Sequence, residues 1–246
     1  MPQPAVLLTR PLEDSLASAA ALAERGVGAV IAPLLDIVPR EDPPPLSGVQ
    51  ALLITSANGI RAFAQQSERR DLPVYAVGDA SAQMALTLGF ATVESAAGAV
   101  DDLAALVRQR LDPQAGALLH PAGSALAGDL AGQLAQEGFA VRRYQAYAAR
   151  PVAALPEPAQ QALTSGDVQA VLLYSPRTAA QFRELVTAAG LAAACRPIDA
   201  LCLSAAVADA LEPLAFCHIR VAERPEQASL FALLAERNGD AAEVLR

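Results

Sequence analysis

Apolar and polar positions along the chain fall into two alternating rhythms. Nearly continuous apolar runs occur at Ala5–Thr9, Val27–Ala32, Gln50–Thr55, Val74–Val77, Ala117–His120, Phe139–Tyr144, Gln169–Tyr174, Leu201–Leu203 and His218–Ala222. They have the length and content of strands covered on both faces. Between them, helical spacing marks Glu13–Glu24, Asn58–Gln66, Ala80–Leu88, Asp101–Arg110, Ala125–Glu137, Pro176–Ala188, Ala205–Leu214 and Glu226–Glu236. Strand–helix alternation sustained along a chain predicts an α/β fold: parallel sheets with helices on both faces.

The pattern also repeats itself. Leu52–Phe63 (LLITSANGIRAF) matches Val171–Phe182 (VLLYSPRTAAQF), setting Ser56 over Ser175 and Phe63 over Phe182. Gly78–Phe90 matches Ser204–Phe216, with Ala82 over Ala208, Leu88 over Leu214 and Phe90 over Phe216. More faintly, Leu7, Leu22 and Gly26 echo Leu119, Leu134 and Gly138. Alanine-rich α/β segments match by accident one at a time, but three echoes in the same order predict two copies of one unit.

Two proline-rich stretches punctuate this pattern. Pro39–Pro45 (PREDPPP) cannot continue a helix or a central strand, and Arg150–Pro158 carries Pro151, Pro156 and Pro158. Both are expected to be stiff connectors. Two crossings predict a domain built from both chain ends, with a second domain inserted in its middle.

Composition narrows the chemistry. With 53% hydrophobic and 18% charged residues, the 246-residue chain has ample material for packed cores. Neither a basic leader followed by a long apolar run nor an apolar stretch of membrane-spanning length is found, so a soluble cytoplasmic protein is expected. A net charge of −8 argues against nucleic acid as a partner. All 18 basic residues are arginine, which removes lysine Schiff bases and the phosphate-loop lysine, whatever the genomic bias behind it. Any bound anion must then be held by arginine, hydroxyls and backbone N–H groups. Cys195, Cys202 and Cys217 lack metal-type spacing and are expected to be structural, as are the isolated His120 and His218 on their strands.

Ligands of parallel α/β sheets bind beyond the carboxyl ends of the strands. Here those ends read Thr9-Arg10-Pro11, Ser56-Ala57-Asn58-Gly59, Gly78-Asp79-Ala80-Ser81, Pro121-Ala122-Gly123-Ser124, Ser175-Pro176-Arg177 and Ser204-Ala205-Ala206. Nearly all are helix N-cap sequences, and Ser175 followed by Pro176 is the clearest. Capping accounts for each one singly. Together, several helix starts with unpaired N–H donors and partial positive charge make a receptor for a ligand with many carboxylates or phosphates. Arg10, Arg61 and Arg177 are placed to add full charges. No G-x-G-x-x-G follows the first strand, and no Ser-His-Asp or Cys-His pairing is visible. Tyr147 falls at the second connector; its hydroxyl is able to serve a leaving oxygen, and its ring equally able to pack there.

These same segments carry a family likeness. LLTRP (Leu7–Pro11), ITSANGIRAF (Ile54–Phe63), YAVGDASA (Tyr75–Ala82), HPAG (His120–Gly123), Tyr144–Pro151, LLYSPRTAAQF (Leu172–Phe182) and LSAAVADAL (Leu203–Leu211) together resemble uroporphyrinogen-III synthase, in order and over almost the whole length. The resemblance implies two similar α/β domains joined by a two-stranded linker, with the substrate held between them and no cofactor or metal. It places one domain at residues 1–37 and 149–246, the other at 41–146, and linkers near 38–40 and 145–151. It implies a monomer acting on hydroxymethylbilane, a linear tetrapyrrole polycarboxylate. The bilane loses its terminal hydroxyl as water and closes through a spiro intermediate that inverts the last pyrrole. By matching positions, Tyr147 assists the leaving hydroxyl. Carboxylates fall to Ser56, Ser81, Ser175, Ser204 and the backbone at Asn58, Gly59 and Gly123, with Arg10, Arg61 and Arg177. Ser81 stands where many relatives have threonine, and Val207 where some have a hydroxyl residue. The rival reading is a hinged two-domain protein that binds a small polyanion without chemistry. An enzyme handling phosphates or nucleotide sugars is weakened by the missing glycine-rich loops.

Overall fold

A computed structural model describes residues 5–124 and 128–243, with side chains as far as residue 235 in the last helix. In chain order the elements begin β1 (Ala5–Leu8), α1 (Leu12–Ala23), β2 (Ala29–Ile31), β3 (Leu35–Pro39), β4 (Val49–Ile54), α2 (Ala57–Gln66) and β5 (Val74–Ala76). Next come α3 (Asp79–Thr87), β6 (Val93–Ser95), α4 (Val100–Arg110), β7 (Ala117–Ala122), α5 (Leu130–Ala135), β8 (Val141–Gln145) and β9 (Tyr147–Pro151). The chain continues with α6 (Glu157–Ser165), β10 (Val168–Leu173), α7 (Pro176–Ala188), β11 (Asp199–Cys202), α8 (Ala205–Asp209), β12 (His218–Val221) and α9 (Gln227–Glu243). The chain divides into two compact units, one of Met1–Asp36 with Arg150–Arg246 and the other of Ile37–Ala149. β3 and β9 pair with each other where the chain passes between the units.

Each unit holds one five-stranded, all-parallel sheet. The first has the order β12-β11-β10-β1-β2 and the second β6-β5-β4-β7-β8. Setting β10 over β4 aligns the two orders strand for strand, although the first unit's chain enters at β1. Both faces of each sheet are covered, which explains the unbroken apolar runs of the central strands. In β10, Val171 and Leu173 face a core with α6, α7 and α8, while Ala170 and Leu172 face one with α9 and the end of α1. In β4, Leu52 and Ile54 face α2 and α3, while Ala51 and Leu53 face α4 and α5.

The echoes in the sequence lie at equivalent places in the two units. Phe63 and Phe182 are fully buried, and each packs on its echoed partner: Phe90 at 6.1 Å and Phe216 at 6.5 Å between centroids. Ser56 and Ser175 each cap a helix, accepting the N–H three residues on at 3.1 Å. Leu22 and Leu134 are both fully buried, and the glycines that follow them, Gly26 and Gly138, both take left-handed φ values of 71° and 85°. A side chain there would strain the turn out of the helix.

Four expectations are corrected. Arg150–Pro158 is only partly a connector, because Pro156 caps α6 and Pro158 sits in its first turn, where a missing N–H costs nothing. The helix expected over Ala125–Glu137 forms only from Leu130. Gly128, at φ 76°, precedes the Asp129 cap, and residues 125–127 lie outside those described. The helix expected over Ala205–Leu214 stops at Asp209, ahead of Pro213, which has no N–H to donate back. The last helix runs past residue 236 to Glu243. β3, β6 and β9 are strands beyond those read from the apolar runs. Among the described residues, no helix is long and apolar enough to cross a membrane.

Because each phenylalanine fills the middle of its core, Phe63→Ala or Phe182→Ala should lower unfolding free energy by about 3–5 kcal/mol. Leu16→Ala on the exposed side of α1 should change it by less than about 0.5 kcal/mol, both read from denaturant midpoints.

Candidate functional site

Parallel pairing brings every strand of a sheet to its carboxyl end at one edge. In the unit of residues 37–149, that edge gathers Ser56 after β4, Gly78 and Ser81 after β5, Gly123 after β7 and Tyr147 after β8. Ser56 is extended, at φ −157°, and its Oγ accepts the Gly59 N–H at 3.1 Å, which fixes the start of α2. The same Oγ lies 3.2 Å from the Tyr147 hydroxyl. Inside the first turn of α2, Arg61 donates to the Asn58 side-chain oxygen at 2.8 Å.

Two glycines are set by close approach. A Cβ on Gly59 would stand 2.4 Å from the Pro121 carbonyl oxygen, so α2 starts against the end of β7 only with glycine there. A Cβ on Gly123 would stand 2.9 Å from Cζ of Tyr147 and 3.0 Å from its hydroxyl, so the phenol ring lies against this bare backbone. Pro121 is tolerated in β7 because the β4 ladder ends at Leu119.

Behind this edge His120, expected to be structural, pairs with Thr55. His120 is buried, with Nε2 2.9 Å from Thr55 Oγ1. Burial, with a smaller contribution from the Arg143 charge, pushes its pKa down to about 4, so the ring is neutral at pH 7. Arg143 in turn donates to the carbonyls of Gly123 at 3.0 Å and Ser124 at 2.8 Å, pinning the loop under Tyr147. Thr55 and Arg143 were missed. Their only signal was position: one follows β4 directly, and the other is a charged residue on edge strand β8. Ser81 is buried in the first turn of α3, beside Asp79, whose charge complements the helix dipole.

In the other unit the corresponding edge carries Arg10 after β1, Ser175 and Arg177 after β10, and Ser204 after β11. Ser175 accepts the Thr178 N–H at 3.1 Å and lies 2.9 Å from the Thr178 hydroxyl, while Arg177 is exposed. Ser204 has the extended cap conformation but makes no side-chain capping bond. Arg10 is already engaged: Nη2 lies 3.3 Å from Asp14, Nη1 donates to Gln227 at 3.1 Å, and the guanidinium covers the Tyr174 ring at 4.4 Å. Ser18 donates to the same Gln227 oxygen at 3.1 Å. Burial raises the Tyr174 pKa above the ordinary tyrosine value, against a smaller lowering by Arg10, and keeps the phenol protonated. Asp14, Ser18, Tyr174 and Gln227 went unnoticed in the sequence because they meet only through packing of α1 and α9 on the sheet. Cys195 and Cys202 are buried, and desolvation pushes both thiols up to about 12, which suits structural residues.

Two parallel α/β units of corresponding strand order, each edged with helix caps and hydroxyls, with a tyrosine held at one edge, define a duplicated α/β protein. Comparison with known proteins makes this specific. The sequence profile of the uroporphyrinogen-III synthase HemD family matches residues 17–232. The chain belongs to the uroporphyrinogen-III synthase family, enzymes of tetrapyrrole biosynthesis. Two solved structures share its fold. One is a mutant uroporphyrinogen III synthase of the extreme thermophile Thermus thermophilus, 18% identical, with 96% of this chain and 99% of that one covered and a TM-score of 0.50. The other is the uroporphyrinogen-III synthetase of Helicobacter pylori, 12% identical, with 94% and 98% covered and a TM-score of 0.62. No curated protein matches the sequence significantly.

Two outcomes follow from this geometry. Gly123→Ala must displace the Tyr147 ring, so it should cut turnover at least ~10-fold, with unfolding free energy lowered by about 1–3 kcal/mol. Between its unfolded value of 6.5 and its folded value of about 4, His120 takes up a proton only when the chain unfolds. Stability should therefore fall as pH drops through that window, by on the order of 3 kcal/mol from this residue. Denaturant titrations at pH 7 and pH 4 should show a smaller loss for His120→Gln than for the parent.

Proposed function

We propose that the chain cyclises hydroxymethylbilane to uroporphyrinogen III, with loss of water and inversion of the terminal pyrrole through a spiro intermediate. The observation that carries this reading is the hydroxyl pair at the start of α2. Ser56 Oγ accepts the Gly59 N–H and lies 3.2 Å from the Tyr147 oxygen, where either hydroxyl can donate to the other; in the reading proposed here Ser56 is the donor. Tyr147 then keeps its phenolic proton for another acceptor. That acceptor is the bilane's terminal hydroxyl, which leaves as water once protonated. The cation left on the bilane attacks the substituted position of the last pyrrole, and the resulting spiro ring fragments and recloses.

The substrate's carboxylates are assigned to Ser81, Ser175 and Ser204 and to backbone N–H groups at Asn58 and Gly123, with Arg61 and Arg177 adding charge; Ser56 and the Gly59 N–H join them only by exchanging the bond they make to each other. At Arg10 an arriving carboxylate competes with Asp14. Helix-start donors hold a polyanion without a net positive protein, which fits a chain of net charge −8. The same charge supports an enzyme that works apart from nucleic acid, here read as a cytoplasmic monomer needing no cofactor. Its catalytic contribution is largely positional, folding a flexible chain so that the substituted carbon is the nearer one.

With bilane generated in situ, the oxidised product should be the type III porphyrin, and a product of type I only would overturn the assignment. Tyr147→Phe keeps the ring on Gly123 and removes the proton, so turnover should fall about 10²-fold with unchanged stability. Unaltered turnover removes Tyr147 from the mechanism.

A further inference from the structure

The opposite edge of the first unit's sheet, where its strands begin, assembles a set of side chains that the proposed reaction does not use. Asp199 opens β11 and His218 opens β12, and the parallel register sets them side by side. Asp199 is 1% exposed, with Oδ1 3.1 Å from His218 Nδ1 and Oδ2 3.8 Å from Arg220 Nε. Cys217 immediately precedes the strand, and its thiol is exposed. One ligand atom from each of Asp199, Cys217 and His218 lies within 4.8 Å of the other two, the one such group among the described residues.

From this juxtaposition we infer that Asp199, Cys217 and His218 form a binding site for a late first-row divalent cation of the zinc class. Sulfur, imidazole nitrogen and carboxylate oxygen are the donors such ions select, and three protein ligands leave a fourth position for water. In a four-coordinate zinc site the donor atoms stand roughly 3–4 Å apart. Closing from 4.8 Å asks only for side-chain rotation of Cys217 and His218, both exposed, while the buried Asp199 stays put. Arg220, whose Nε lies 3.8 Å from Asp199 Oδ2, is the charged neighbour on the side of the carboxylate away from His218. A thiolate and a carboxylate balance the charge of a divalent ion. A hydrogen bond between His218 and Asp199 accounts for two of these residues without a metal, and Cys217, next to His218 in the chain, supplies the third donor.

The ion would tie β12, an edge strand, to its only neighbour in the sheet, β11. The site lies at the strand starts, away from Arg10, Ser175, Arg177 and Ser204, so it is separable from catalysis. Cobalt(II) is the probe, because thiolate ligation gives an intense near-ultraviolet charge-transfer band. The full-length protein should take up one Co²⁺ with that band, and Zn²⁺ should displace it. Cys217→Ser should abolish the band and His218→Ala should weaken Co²⁺ binding at least ~10-fold, both with porphyrinogen synthesis unchanged as proof of folding. Absence of Co²⁺ uptake, binding without the thiolate band, or variants that bind Co²⁺ as tightly as the parent would overturn the site.

Discussion

Parallel strand pairing is the constraint from which the rest of the structure follows. A parallel ladder sends each strand back to the same starting edge through a helix, so every strand finishes on one side and every following helix begins there. Side chains far apart in sequence thereby meet: Ser56, Gly123 and Tyr147 share one edge because β4, β7 and β8 are neighbours running the same way. The same rule collects Asp199 and His218 at the opposite edge of the other sheet, where β11 and β12 begin. Edge chemistry of both kinds is a product of topology before it is a product of any single residue.

Duplication makes this economical. The strand orders correspond one to one, and α2 and α3 stand where α7 and α8 stand, with α6 an addition on that face of the first unit. What differs is the decoration. Ser56 with Gly59 in one unit answers Ser175 with Thr178 in the other, and only the glycine lets Pro121 approach. The two edges are variants of a single frame, one opened to hold a phenol and the other closed around an arginine by Asp14, Tyr174 and Gln227.

Much of the frame was legible in the sequence because doubly covered strands are written as unbroken apolar runs, and β10 and β7 are buried at every position. The repeat was legible because Phe63, Phe90, Phe182 and Phe216 are core residues whose volume is fixed by packing. Helix ends were less so. Alanine-rich segments carry helical propensity past the points where Gly128 and Pro213 stop it, and Pro156 with Pro158 looked like a linker although it opens α6. Helix starts were legible where a local motif marks them, as at Ser56, Ser175 and Gly59. Thr55, Arg143, Tyr174 and Gln227 carry no such mark, since their roles come from neighbours supplied by other elements. Cys217 and His218 were adjacent in plain view, but Asp199 joins them only through the sheet register.

The route of the chain through the first sheet bears on how the protein acquires its structure. β1 and β2 are made first, yet β1 pairs with β10, which emerges only after all of β4 to β8. The second sheet closes with neighbours drawn from one continuous stretch, so its loop-closure entropy is the smaller of the two. Val6, Leu7 and Leu8 have β2 as one neighbour from the start, but the β10 side of β1 has no partner until the inserted unit has been made. Loop-closure entropy therefore predicts that joining the two chain ends around β10 is the late step of folding.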